Sequence, residues 1–239
     1  MNLALLKQTF KSNFPIWGLT TAIMTGLLAQ MITMKQTRML LGPMFYGMLA
    51  PTMIAIFIIV AGNKLLAAQV DKGSMAYILT APVKRVTVAI TQAFYYVASL
   101  AATFGIMGVT SVIVNNMVDA GFKSQVLINL AFGSFAVSIA FAGIMFAASG
   151  IFNLSKNALG TGGLIILIFL LVAIVASFAN YGVSGLKDLQ NLTIVSLFDY
   201  KNIMVEGTKW LPKLAALGAI GVAGLTAGTT VFTKKDLPL

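Results

Sequence analysis

The chain of 239 residues has neither cysteine nor histidine. Their absence removes thiolate nucleophiles, imidazole bases, disulfides and the usual soft metal ligands. Charge is scarce as well. Charged residues make up 9% of positions and hydrophobic ones 59%, so a water-soluble domain would lack the polar residues to cover its surface. The 6 carboxylates are scattered through expected loops, and no acid/base pair suggests itself. A phosphate-binding loop is missing too: Gly121-Phe122-Lys123-Ser124 lacks the upstream glycine and flanking strand that such a loop needs. On this reading the chain is not an enzyme, holds no metal or cofactor, and cannot hydrolyse ATP by itself.

What is present is a succession of long apolar runs, which predicts an all-α membrane protein. At roughly 20 residues per spanning helix, residues 1–239 hold about six spans in a single transmembrane domain, with no room for a separate soluble one. Residues 2–13 place Leu3, Leu6 and Phe10 on one helical face and Lys7, Gln8, Lys11 and Ser12 on the other, which predicts an amphipathic interfacial helix before the first span. The expected spans are 14–34, 44–66 with a kink at Pro51, 86–114, 126–152, 160–178 and 211–232. Gly42 and Pro43 mark a connection, and 153–157 a turn. Residues 179–210 are too polar to span and too apolar for a free linker, so short extracellular helices are expected there.

A formal charge of +10 would suggest nucleic acid in a soluble protein. Here the basic residues flank apolar runs, so lipid headgroups and topology explain them and no nucleic-acid partner is expected. With the N-terminus inside, Lys7, Lys11, Lys64, Lys72, Lys84, Arg85, Lys156, Lys234 and Lys235 are cytoplasmic, while Lys35, Arg38 and Lys123 occupy short outer loops. That bias places both termini inside.

The spans carry no ionised residue near their middles, which disfavours ion-coupled transport. Their polar groups, such as Thr20, Thr21, Thr25, Gln30 and Gln92, are read first as helix-to-helix hydrogen bonds. Of the 13 methionines, Met24, Met31, Met34, Met39, Met44, Met48 and Met53 crowd into spans one and two; methionines fill irregular gaps, and also suit surfaces that accept varied apolar ligands. Thr21, Met24, Thr25, Met48 and Met53 are the candidates for a substrate pathway. In span six, Ala219, Ala223 and Ala227 recur every four residues beside Gly224 and Gly228, a pattern for close helix packing.

The most distinctive stretch runs from Asp71 to Arg85. An ordinary basic loop needs only charge. This one has internal order: Asp71, Lys72 and Gly73, then Met75, Tyr77, Ile78 and Leu79, then Pro82, Val83, Lys84 and Arg85. The expectation is one short helix at the membrane surface, closed by Pro82, meeting something soluble. The order resembles type-2 ABC exporter permeases, whose segment between spans two and three reads acidic-x-Gly, an apolar pair, Pro-Val or Pro-Ile and a basic residue. Asp71, Gly73, Ile78, Leu79, Pro82, Val83 and Arg85 fill those places, with aspartate where glutamate is commoner. The ending Phe232-x-x-Lys235-Asp236-Leu237-Pro238 is similar to many members as well.

The resemblance implies a transport subunit of the bacterial plasma membrane. Its partners would be a second permease, with a homodimer favoured and a heterodimer the alternative, and two ATPase subunits that bind ATP and Mg. The coupling helix would sit between spans two and three, with spans one and five at the permease interface and spans one, two and five along the route. An apolar lining without buried charge favours a hydrophobic or amphipathic cargo such as a bacteriocin or toxin peptide. Small hydrophobic drugs, lipid-linked glycans and a non-transporting immunity or sensor protein are the alternatives.

Overall fold

The six apolar runs fold as four unbroken helices and two interrupted ones. The structure is a computed structural model that describes residues 1–80, 83–178 and 184–237. The described residues are helical with no strand, and six helices are long and apolar enough to cross a membrane: Leu3–Thr33, Lys35–Leu65, Arg85–Met117, Ser124–Ile151, Ser155–Ser177 and Trp210–Lys234. Both chain ends approach the start of the third of these, since Asn2 bonds Thr91 and Lys235 bonds Arg85. We call that side the terminal face.

Helix α1 (Leu3–Thr33) begins where the Asn2 side chain accepts a hydrogen bond from the Leu5 amide at 3.0 Å. It then runs unbroken through Pro15. The separate interfacial helix expected over 2–13 is therefore the first turns of span one. Leu3 and Phe10 are exposed, as are Lys7, Gln8, Lys11 and Ser12, and the buried side of these turns is formed by Leu5, Thr9 and Asn13. Hydrogen bonding decides the orientation, because α5 (Arg85–Met117) offers partners all along the contact. The Asn2 amide donates to Thr91 Oγ1 at 3.0 Å, Thr9 Oγ1 to Gln92 Oε1 at 3.0 Å, and Trp17 Nε1 to the Ser99 carbonyl at 2.9 Å; Thr21 and Thr103 pair at 2.9 Å. Each rung satisfies groups that would be costly unpaired in lipid.

The second spanning helix is interrupted where a loop and a kink were expected. A 3₁₀ turn (Lys35–Leu40) leads into a π-helical stretch (Leu41–Leu49) and then α2 (Ala50–Leu65). Gly42 and Pro43 thus lie in the helix and form no connection. The wider π turn, in which the Ala50 amide reaches Phe45, delivers Pro51 to the first turn of α2, where its missing N–H matters least. Arg38 turns inward: its Nε donates to the Ile32 carbonyl at 2.9 Å and closes the end of α1.

The central helix is α6 (Ser124–Ile151), buried along most of its length by α2, α5 and α10 (Trp210–Lys234). Glycines make this possible. A Cβ built on Gly143 would lie 2.8 Å from the Gly221 Cα, one on Gly224 2.7 Å from the Gly143 Cα, and one on Gly150 2.7 Å from the Gly228 Cα. The contact face of span six is therefore its glycine stripe. The alanine stripe singled out in the sequence, Ala219, Ala223 and Ala227, faces outward.

The fifth span opens with α7 (Ser155–Ala158), where a turn was expected, passes through a π-helical stretch (Leu159–Gly163) and continues as α8 (Leu164–Ser177). On the face opposite the termini, 3₁₀ helices (Ser184–Leu192 and Ile194–Leu197) and α9 (Tyr200–Met204) occupy the polar stretch before span six. They are docked and not loose. The Phe198 ring lies over Gly133, and the Tyr200 ring packs against Gly42 and Gly47. Asp199 caps α9 through the Asn202 amide and accepts from Lys213 Nζ at 2.7 Å. Burial pushes its carboxyl pKa up, but these two bonds and the nearby Lys201 charge outweigh that and hold it below its ordinary value.

Candidate functional site

The segment between the second and third spans is built from two short helices and not the single one expected. Helix α3 (Ala67–Asp71) ends at Gly73, whose φ of 71° is a left-handed value that favours glycine. The Gly73 amide closes on the Val70 carbonyl at 3.0 Å. Helix α4 (Ser74–Thr80) then follows. Pro82, expected to close it, lies outside the described residues, as does Pro238.

Within α4 the apolar side chains do different jobs. Met75 is fully buried and anchors the helix, while Ile78 and Leu79 are half-buried against the core. Only Tyr77 is offered outward, 86% exposed. The expected ridge of Tyr77, Ile78 and Leu79 is therefore one exposed ring flanked by two residues that hold α4 down. Lys72 and Lys84 are exposed, and Val83 is half-buried.

Two of the charged residues are tied back into the protein. Asp71 Oδ2 accepts from the Ser155 amide at 3.1 Å, at the first turn of the fifth span, where a carboxylate also meets the positive end of the helix dipole. Asn63 Nδ2 donates to Ser155 Oγ at 2.6 Å, and the Ala67 amide to Ser149 Oγ at 2.9 Å. Spans two, four and five are thus stitched together directly behind α4.

Arg85 donates from a guanidinium nitrogen to the Lys235 carbonyl at 3.0 Å. Lys235 Nζ in turn donates to the Phe152 carbonyl at the end of α6, at 3.2 Å, and lies 5.5 Å from the centre of the Phe232 ring. Burial lowers the Lys235 pKa from its ordinary 10.5 to about 8. Between those two values the unfolded chain binds more protons than the folded one, so stability rises with pH. Melting of the purified protein should therefore shift upward from pH 8 to pH 10 relative to Lys235→Met. Parallel curves for the two proteins would contradict this placement of Lys235.

Beside α4, a cleft of about 770 Å³ opens between the first turns of α1, the end of α2, α3 and α4. Amides and hydroxyls line it, among them Gln8, Thr9, Ser12, Asn13 and Gln69, together with Lys64 and Lys72; no carboxylate does so among the described residues. Asn13 is 2% exposed, and its Nδ2 donates to the Thr9 carbonyl at 3.0 Å. Its Oδ1 has no partner among the described residues, and neither has Gln69 Oε1. Neither amide stands out in the sequence, because a single Asn or Gln near a basic helix end resembles any interfacial residue.

The pathway candidates are not brought together. Thr21 is buried in its pair with Thr103, Met24 is fully buried, and Met53 packs half-buried on the core. Thr25 Oγ1 is buried without a partner among the described residues. Met48 alone borders open space, a cavity of about 450 Å³ toward the opposite face that it lines with Met44 and the Asp199–Lys213 pair. Comparison with known family models matches none, and comparison with characterised proteins gives no match.

Proposed function

We propose that this chain is the membrane subunit of an ATP-driven exporter, powered by separate ATPase subunits that seat on α4. The observation that carries the reading is the construction of α4: a short helix pinned by Met75, presenting Tyr77 to solvent, and backed by the Asp71 bond to the fifth span. A push on α4 would reach spans two and three through the chain and span five through Asp71. Rigid transmission favours such a hydrogen-bonded junction over a free loop.

In this reading the terminal face is cytoplasmic, in keeping with the Lys and Arg bias, and the membrane is a bacterial plasma membrane. ATP and Mg belong to the partner ATPase. A second permease, favoured as an identical copy, would cover the apolar outward faces of α1 and α8, which include Phe14, Leu19 and Ile23 on the first and Leu164, Leu167 and Leu171 on the second. The cargo is a hydrophobic or amphipathic molecule, with a peptide such as a bacteriocin or toxin favoured over small drugs or lipid-linked glycans.

Purification from the native membrane in mild detergent tests this. A transport subunit should bring down an ATPase whose turnover rises when apolar peptide is added. A chain that purifies alone, with no ATP turnover, would instead be a stand-alone membrane binder.

A further inference from the structure

We infer that the cleft between α1 and α4 is a binding site for the headgroup of a phosphodiester lipid carrying N–H or O–H donors. Three observations converge on that chemistry. Asn13 Oδ1 and Gln69 Oε1 are buried acceptors without partners among the described residues, both in residues that line the cleft. Such groups are costly to leave unsatisfied, so they call for donors. Asn13 cannot be flipped to remove the problem, because its Nδ2 is already committed to the Thr9 carbonyl.

The second observation is charge: Lys64 and Lys72 line the same cleft with no carboxylate opposing them among the described residues. They call for an anion. One ligand must then offer hydrogen-bond donors and a negative group within a single small headgroup, as phosphatidylethanolamine and phosphatidylglycerol do. Phosphatidylcholine has the phosphate but no donor.

Depth is the third. Lys11 is exposed two residues before Asn13, a rise of about 3 Å along the helix. A lysine there reaches the headgroups, so Asn13 lies at the boundary of the bilayer and not at its centre. Ile78 and Val83 supply an apolar edge where the acyl chains would leave the cleft. The ligand's donors would meet Asn13 and Gln69, and its phosphate would lie between Lys64 and Lys72. Binding of this kind needs no ATPase partner.

Lipid retention by the purified full-length protein, read by native mass spectrometry, provides the test. Phosphatidylethanolamine and phosphatidylglycerol should each be held about five- to tenfold more tightly than phosphatidylcholine, the ratio expected for a hydrogen bond or two to a buried acceptor. Asn13→Leu should erase that preference, as should Gln69→Met if the first variant fails to fold. Lys64→Gln should weaken all three lipids while keeping the preference. Equal retention of the three lipids by the unaltered protein, or a preference that survives both Asn13→Leu and Gln69→Met, would overturn the assignment. Soluble phosphoethanolamine or glycerol phosphate that competes as strongly as intact lipid would also overturn it, by showing that the site takes a free phosphate ester.

Discussion

Tyr77→Asp should leave the protein folded and inserted but abolish its association with an ATPase. The ring is 86% exposed, and the hydrogen bond that Thr80 Oγ1 donates at 2.7 Å goes to the Tyr77 backbone carbonyl and not to its side chain. A substitution at such a position changes stability by about 0.5 kcal/mol or less. Within an apolar protein contact the same change removes an aromatic anchor and buries an unpaired carboxylate, at a cost of about 2 kcal/mol or more, roughly thirtyfold in affinity. ATPase recovered with the protein, and export measured in cells, should therefore both fall by at least about tenfold. Leu79→Asp is a less selective probe, because Leu79 is half-buried against the core and its replacement would also disturb the fold. Undiminished ATPase recovery with Tyr77→Asp would remove α4 from the proposed contact.

The second large effect concerns the centre of the bundle. Gly143→Leu should unfold the protein in detergent or lower its stability by about 3 kcal/mol or more, beyond the usual range for an overpacked core. The reason is that the neighbour in the way is the backbone of Gly221, which cannot rotate aside as a side chain can. Gly224→Leu should behave alike, since its Cβ would meet the Gly143 backbone. Ala219→Leu, on the outward face of the same helix, should be tolerated within about 0.5 kcal/mol. Thermal unfolding of the three variants in one detergent decides the matter. Similar losses at Ala219 and Gly224 would mean that the helices meet on another face.

The number of spans was legible in the sequence because length and hydropathy alone determine it. Apart from the early start of α1 at Leu3, their limits agree with the structure to within a few residues outside the second and fifth helices. Those two exceptions have different causes. The second contains the π-helical stretch Leu41–Leu49, where Gly42 and Pro43, the usual marks of a loop, are held in helix by the surrounding membrane helices, whereas the fifth begins at Ser155, inside the stretch expected to turn. The buried side of α1 was not legible for another reason. Amphipathicity assumes that polar residues seek water, but Thr9 is turned inward by its bond to Gln92 of α5, and Asn13 is buried one turn further on.

At α4 the residue types were visible, but their division of labour was not. Nothing in Tyr77-Ile78-Leu79 distinguishes an anchor from an exposed ring until the helix break at Gly73 is known. The roles of Asp71 and Arg85 depend on Ser155 and Lys235, partners 84 and 150 positions away. Pairing at that range leaves no local pattern to read.

The side of the membrane on which α4 lies is the claim that the transport reading depends on most directly, and the absence of cysteine makes it simple to measure. Ser74→Cys introduces a single exposed thiol at the start of α4. A membrane-impermeant maleimide should leave this thiol unlabelled in intact cells and label it fully once the cells are opened. Labelling from outside intact cells would place α4 beyond the reach of any cytosolic ATPase and contradict the account.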